Sequence, residues 1–287
     1  MPLSKNFTDP IDAVIQTRKI SEEIAAKVLG DIDGKSESQV AEELFAEMKN
    51  RSEIFPTGWY DPPPGGVSIL FDEAPFERLK FDSLRNSKYW PNKKFVLKKE
   101  TVGQIYFSPV DKKTGMMGDL GFTIYRGDNE EIMQHLKKCY DSILEIARHA
   151  QIGMKVSELC SFANNLFKNK LKMTRWVPIS SDPNQSINLG HSITGSFESN
   201  FILPSTFEEI KETLRTKRVP IIDTENFEFL ETCAFIIESR LEDFNKPYLP
   251  SAYFQFFVCF DNGKKIILDN FSEIFRAVGM DYMKGEK

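Results

Sequence analysis

Histidine is scarce in this chain. The three are His135, His149 and His191, and only His191 lies in a run of small residues, Leu-Gly-His-Ser-Ile-Thr-Gly-Ser-Phe-Glu from Leu189 to Glu198. A neutral imidazole can ligate a metal or move a proton near neutral pH, and small neighbours leave room for a substrate. The competing reading is a core histidine satisfied by its surroundings. His135 and Cys139 are four apart, which places both on one face of a helix, but nothing near them completes a metal site. Cys139, Cys160, Cys233 and Cys259 occur singly, without a Cys-x-x-Cys pair, which points to a reduced, cytoplasmic compartment.

The composition narrows the classes. With 41% hydrophobic and 12% aromatic residues over 287 positions, the chain can bury a large core. A net charge of −5 leaves no electrostatic footprint for nucleic acid, and short basic runs such as Lys93-Lys94 and Lys168 to Lys172 read as solvated faces. Met1-Pro-Leu-Ser-Lys5 lacks the apolar core of a signal peptide, and no apolar run reaches the ~20 residues of a membrane span.

Elements must position His191. Asp9-Pro10 starts a helix whose stripe is Ile11, Val14, Ile15, Ala25 and Val28, with Gly30 as its stop. Ser36-x-x-Gln39 is a capping box for a second helix carrying Val40, Leu44, Phe45 and Met48. Residues 55–66 are turn-rich, with Pro62 to Pro64 forbidding a helix. A short strand follows at Val67 to Leu70, and 72–99 carries no assignable pattern. Strands are predicted at 104–110 and 116–126, then helices at 129–149, capped by Asp128, and at about 156–168. The last third reads as strands at the His191 run, at 233–239 and in a hairpin turned by Asn262-Gly263. A helical insertion at about 205–218, capped through Ser205-x-x-Glu208, interrupts them, and a short helix at 272–278 follows. Two helices and then strands, twice, predict a mixed α/β single domain over 1–287 with internal two-fold design.

This order resembles the creatinase/methionine aminopeptidase family of pita-bread metallohydrolases, from about residue 10 to the end. Gly190-His191-Ser192-Ile193 is similar to the family's Gly-His-Gly-Ile. Phe235-Ile236-Ile237-Glu238 is similar to its Phe-Thr-Ile-Glu-Pro, and Gly118-Asp119-Leu120-Gly121-Phe122-Thr123 to the stretch bearing its second metal-binding aspartate. The family holds two divalent metals with two Asp, one His and two Glu. The resemblance assigns three of these, Asp119, His191 and Glu238, all serving one of the two metals. Ser108 falls where the first Asp belongs. No carboxylate stands on the strand before the hairpin, where Phe254 lies nearest the last Glu. Asp61 falls near a substrate-binding histidine, and Glu198 takes the place of a second imidazole.

The resemblance therefore implies a divergent metalloenzyme with one divalent ion (Mn, Fe, Zn or Co) on Asp119, His191 and Glu238. It would hydrolyse an amide or C–N bond, with Glu198 as general acid or base and Asp61, Tyr106 and Ser108 beside a small-molecule or peptide substrate. Tyr106 and Ser108, two apart on a strand, share a face; the tyrosine would contact an anionic group or fill vacated metal space. An iron oxygenase or lyase on the same ligands is a second reading. A third is a non-catalytic module that binds a peptide or protein through 55–62 and 205–218, as pseudo-enzymes of this family do. In that reading Asp119 caps a turn, His191 is core, and Glu238 pairs with Arg240 or a lysine. Charge and hydropathy predict no nucleic-acid or membrane partner, and the family leaves a homodimer open.

Overall fold

The computed structural model describes residues 9–172, 188–198 and 200–284. The leader reading of Met1 to Lys5 and the start of the predicted His191 strand at Ile187 lie outside these residues.

Local signals produce most elements. Helix α1, Pro10–Leu29, begins where Asp9 accepts the Ile11 N–H at 2.8 Å, with proline in the first turn. Helix α2, Glu37–Asn50, starts in the predicted capping box. Strand β1 is Val67–Asp72; β2, Thr101–Phe107, and β3, Leu120–Arg126, form the next hairpin, β2 lying three residues before its predicted span and β3 starting four residues later than predicted. Helix α3, Glu130–His149, is capped by Asn129, whose side chain accepts from Glu131 and Ile132. Asp128 instead pairs with Lys99 at 3.0 Å on the surface. Helix α4, Val156–Asn165, runs into a π-helical turn at Leu166–Lys170. Only Gly190–Ser192 form strand β4. The insertion is helix α5, Phe207–Thr216, and its capping box is Thr206 with Glu209, one residue beyond the predicted pair. Strands β5, Cys233–Leu241, β6, Ala252–Asp261, and β7, Lys264–Leu268, follow, then helix α6, Ser272–Ala277. Asn262 and Gly263 take positive φ, as a tight hairpin between β6 and β7 requires. Residues 72–99, patternless in sequence, hold two short 3₁₀ turns.

The sheet is antiparallel throughout, in the order β1-β2-β3-β6-β5-β4, with β7 also on β6. That order is a palindrome: β1, β2 and β3 mirror β4, β5 and β6. The ladder between the two halves has one residue pair, Phe122 with Phe254, and the Thr123 hydroxyl bonds both the carbonyl and the N–H of Tyr253 beside it. Arg18 of α1 reinforces this seam. Fully buried, its guanidinium donates to the carbonyls of Asp119 before β3 and Gln255 on β6, and lies 4.8 Å from the Phe257 ring centre. Every residue of β6 but the last is buried, because α3 and α6 cover one face and the site fills the other. No helix among the described residues is long and apolar enough to cross a membrane.

Candidate functional site

The site lies where the palindromic strands converge. Trp59, Tyr60, Tyr106, Asp119, His191, Glu238, Tyr253 and Gln255 supply it from both halves.

Asp119 is buried and bonded at both oxygens. The Trp59 indole N–H donates to Oδ1 at 2.7 Å, and the Tyr106 hydroxyl to Oδ2 at 2.9 Å. Burial pushes its carboxyl up to about 7, against those two hydrogen bonds, while nearby Glu238 pushes it further. Asp119 therefore caps no turn. It is the hub joining the 55–66 loop to β2.

Glu238 faces Gln255 directly across the β5–β6 ladder. The Tyr253 hydroxyl and the Gln255 amide both donate to its Oε2, at 2.8 and 2.5 Å. Burial raises this carboxyl too, opposed by those bonds and by Arg218. Its expected alternative partner, Arg240, is turned away towards the Leu79 and Phe81 carbonyls.

His191 Nδ1 lies 2.9 Å from the Ser192 carbonyl, which can only accept, so the proton sits on Nδ1 and Nε2 carries the lone pair. Burial, helped by Arg218, lowers its pKa to about 3, so the ring is neutral. It meets Trp59 edge-on at 6.3 Å. Gly190 must be glycine here. Its φ is +136°, and a β-carbon would lie 2.0 Å from the Ile236 carbonyl oxygen.

The structure revises several sequence expectations. Ser108 does not line the pocket beside Asp119. Its hydroxyl receives the Tyr60 N–H and reaches the Gly66 carbonyl, and its own carbonyl receives the Trp59 N–H, so it seats the 55–66 loop. Tyr106 is the β2 residue that touches Asp119. Phe254 is turned into an aromatic cluster, 5.3 Å from Tyr140; strand alternation presents Gln255 to Glu238 instead. Glu198 accepts the Gly195 N–H at 2.7 Å and closes its own turn. Asp61 is at the rim, 3.9 Å from Lys211 of α5. His135 gives its ring nitrogen to the Pro250 carbonyl with Cys139 packed beside it, a core arrangement.

Trp59, Tyr253 and Gln255 were not singled out from sequence. Gln255 was findable in principle, because a lone polar residue in an aromatic strand must point at something polar.

A divalent ion fits this donor set poorly. Both Asp119 oxygens already receive an N–H or O–H donor, and Glu238 Oε2 receives two, which takes up lone pairs a cation would otherwise use. Among the described residues no three His, Cys, Asp or Glu side chains are grouped to hold a metal. Of the expected triad, His191 Nε2 and Glu238 Oε1 receive no donor among the described residues, whereas both Asp119 oxygens do.

No protein-family model matches the sequence, and no curated protein matches it. Solved structures do. An X-Pro aminopeptidase from Thermotoga maritima aligns with TM-score 0.59 and 14% identity over 90% of this chain. The prolidase from Pyrococcus furiosus aligns with TM-score 0.59 and 15% identity over 91%. A methionine aminopeptidase from Thermotoga maritima aligns with TM-score 0.63 and 11% identity over 93%. The chain spans 60% and 63% of the first two proteins and 98% of the third. At such identities the likeness is one of fold. The chain has the pita-bread fold of the creatinase and aminopeptidase type, as its motifs imply.

Proposed function

We propose that this chain is a metal-free pita-bread protein that binds a peptide or protein partner in place of cleaving one. The engagement of both Asp119 oxygens by Trp59 and Tyr106 carries this reading. A carboxylate that serves a metal keeps an oxygen directed at it. Here an indole and a phenol stand against the two oxygens of Asp119, which weighs against the single-metal hydrolase and the iron oxygenase or lyase.

A second observation supports binding. The two segments suggested as contact surfaces touch each other. Phe55 stacks on Phe207 with ring centres 4.1 Å apart, and Lys211 reaches Asp61. The insertion α5 thus extends one wall from the 55–62 loop, with the site at its foot.

Elemental analysis of the purified protein, before and after incubation with Mn²⁺, Fe²⁺, Zn²⁺ and Co²⁺, tests the reading. Less than a tenth of an equivalent (about 0.1, effectively empty) is expected throughout, with no aminopeptidase turnover. One equivalent that disappears in His191→Ala would sink it and restore the hydrolase. Light scattering on the same sample decides whether the chain pairs as a homodimer.

A further inference from the structure

Two cations stand over the aromatic floor of the site with no carboxylate at ion-pair distance among the described residues, although the Arg218 charge is felt at Glu238. The Arg85 guanidinium lies 4.4 Å from the Tyr60 ring centre, and Arg218 lies 5.6 Å from that of Trp59. These rings are sequence neighbours that meet edge to face at 5.6 Å, so the two guanidiniums cover differently oriented rings of one aromatic pair, with the Tyr60 hydroxyl within electrostatic reach of both. Both are half-buried. Neither has an ion pair among the described residues. Arg85 gives one N–H to the Asp61 carbonyl at 3.3 Å, and Arg218 makes no hydrogen bond among those residues. Both bear on the Tyr60 hydroxyl, opposing the rise that burial causes there.

That arrangement has a chemical meaning. A guanidinium stacked on a ring is held flat and keeps its edge N–H groups in plane, where they form a fork for a planar or tetrahedral oxyanion. Partial burial raises the strength of such a charge-assisted bond. The neighbouring carboxylates do not fill the fork. Asp61 is directed towards Lys211, and Glu238 is held by Tyr253 and Gln255. In a chain of net charge −5, an unpaired cationic pair at the site selects the opposite charge in its ligand.

We propose that Arg85 and Arg218 together receive an oxyanion group, carboxylate or phosphate, of the ligand bound at this site, with Trp59 and Tyr60 stacking behind them. The proposal rests on the binding reading above and narrows it to an anionic ligand.

Calorimetric titration of the full chain tests it with three probes: N-acetyl-alanyl-alanine, its C-terminal amide, and inorganic phosphate, each with and without EDTA. At least one anionic probe should saturate and the amide should not; which anion binds more tightly tells carboxylate from phosphate. Arg85→Met and Arg218→Met should each weaken it by about tenfold or more. The lysine variants, which keep charge but lose the fork, should fall between. Circular dichroism and melting of every variant separate lost binding from lost folding. Equal binding of acid and amide, unchanged affinity in the methionine variants, or no anion binding by about 10 mM would each overturn the proposal. Binding abolished by EDTA and still absent after the chelator has been dialysed away would overturn it as well, by assigning the anion to a metal; binding that returns on dialysis is competition by the chelator's own carboxylates and supports the arginine site. A stoichiometric metal together with EDTA-resistant, arginine-dependent binding would defeat only the metal-free reading.

Discussion

At the scale of single residues, the site is a set of groups held away from their usual charge states. Asp119 and His191 are shifted in opposite senses, to about 7 and about 3, both chiefly by burial. Their linkage to stability has opposite signs. A raised carboxyl keeps its proton in the fold while the unfolded chain loses it near pH 4, so this group costs stability as pH climbs from about 4 to 7. A depressed imidazole stays neutral in the fold while the unfolded chain protonates below about 6.5, so that group costs stability as pH falls through the same window. The two slopes oppose each other. Asp119→Asn should therefore gain stability relative to the parent as pH rises, by up to about 1.4 kcal/mol per unit between pH 4 and 7. Urea unfolding at half-unit steps reads this difference, and a flat one would mean Asp119 is ionised in the fold. Trp59→Phe should cost about 1–3 kcal/mol by leaving Oδ1 buried without a donor. Gln255 and Tyr106 were missed or half-read in the sequence because neither type is a ligand in its own right. Their roles come from the carboxylate each one faces.

At the scale of elements, short-range signals were legible and long-range ones were not. The Asp9-Pro10 start, the Ser36–Gln39 box and the Asn262-Gly263 turn are settled by bonds between near neighbours. The α3 and α5 caps shifted by one residue, because adjacent candidates, Asp128 with Asn129 and Ser205 with Thr206, offer the same chemistry and the chain path chooses between them. Strand β4 is where an element is most constrained. Gly190→Ala drives a methyl group into the Ile236 carbonyl, so β4 should separate from β5. A loss of about 3 kcal/mol or more is expected by chemical denaturation, with His191 displaced. Wild-type stability in this variant would show that the strand can shift without penalty.

At the scale of the whole molecule, two half-sheets are joined by one ladder pair, by hydrogen bonds between Thr123 and Tyr253, and by a buried arginine. Removing that arginine leaves three carbonyls, of Asp119, Gln255 and Asp269, and a desolvated space at the seam. Arg18→Met should cost about 3 kcal/mol. Hydrogen exchange should quicken first in β3 and β6, before the outer hairpins. Uniform exchange across the sheet would place the joint elsewhere. The same seam explains how the site is built as a hydrogen-bonded network. Donors from the 55–66 loop, β2 and β6 meet the carboxylates at the convergence of both halves, so each charge is satisfied by a neutral partner from a distant part of the chain.

The sequence by itself determined the class, the repeat and most element boundaries near their caps. It also marked Asp119, His191 and Glu238 as the polar residues of the pita-bread motifs. These follow from composition, periodicity and contacts a few residues apart. Whether those three form a ligand set was decided only by the tertiary structure. A carboxylate's use depends on what occupies its lone-pair directions, and here the occupants are Trp59, Tyr106, Tyr253 and Gln255. Asp119 and Trp59 are brought together across 60 positions by a loop seated on Ser108. No local pattern in the chain records that approach, because the bond exists only once the sheet has curled around it.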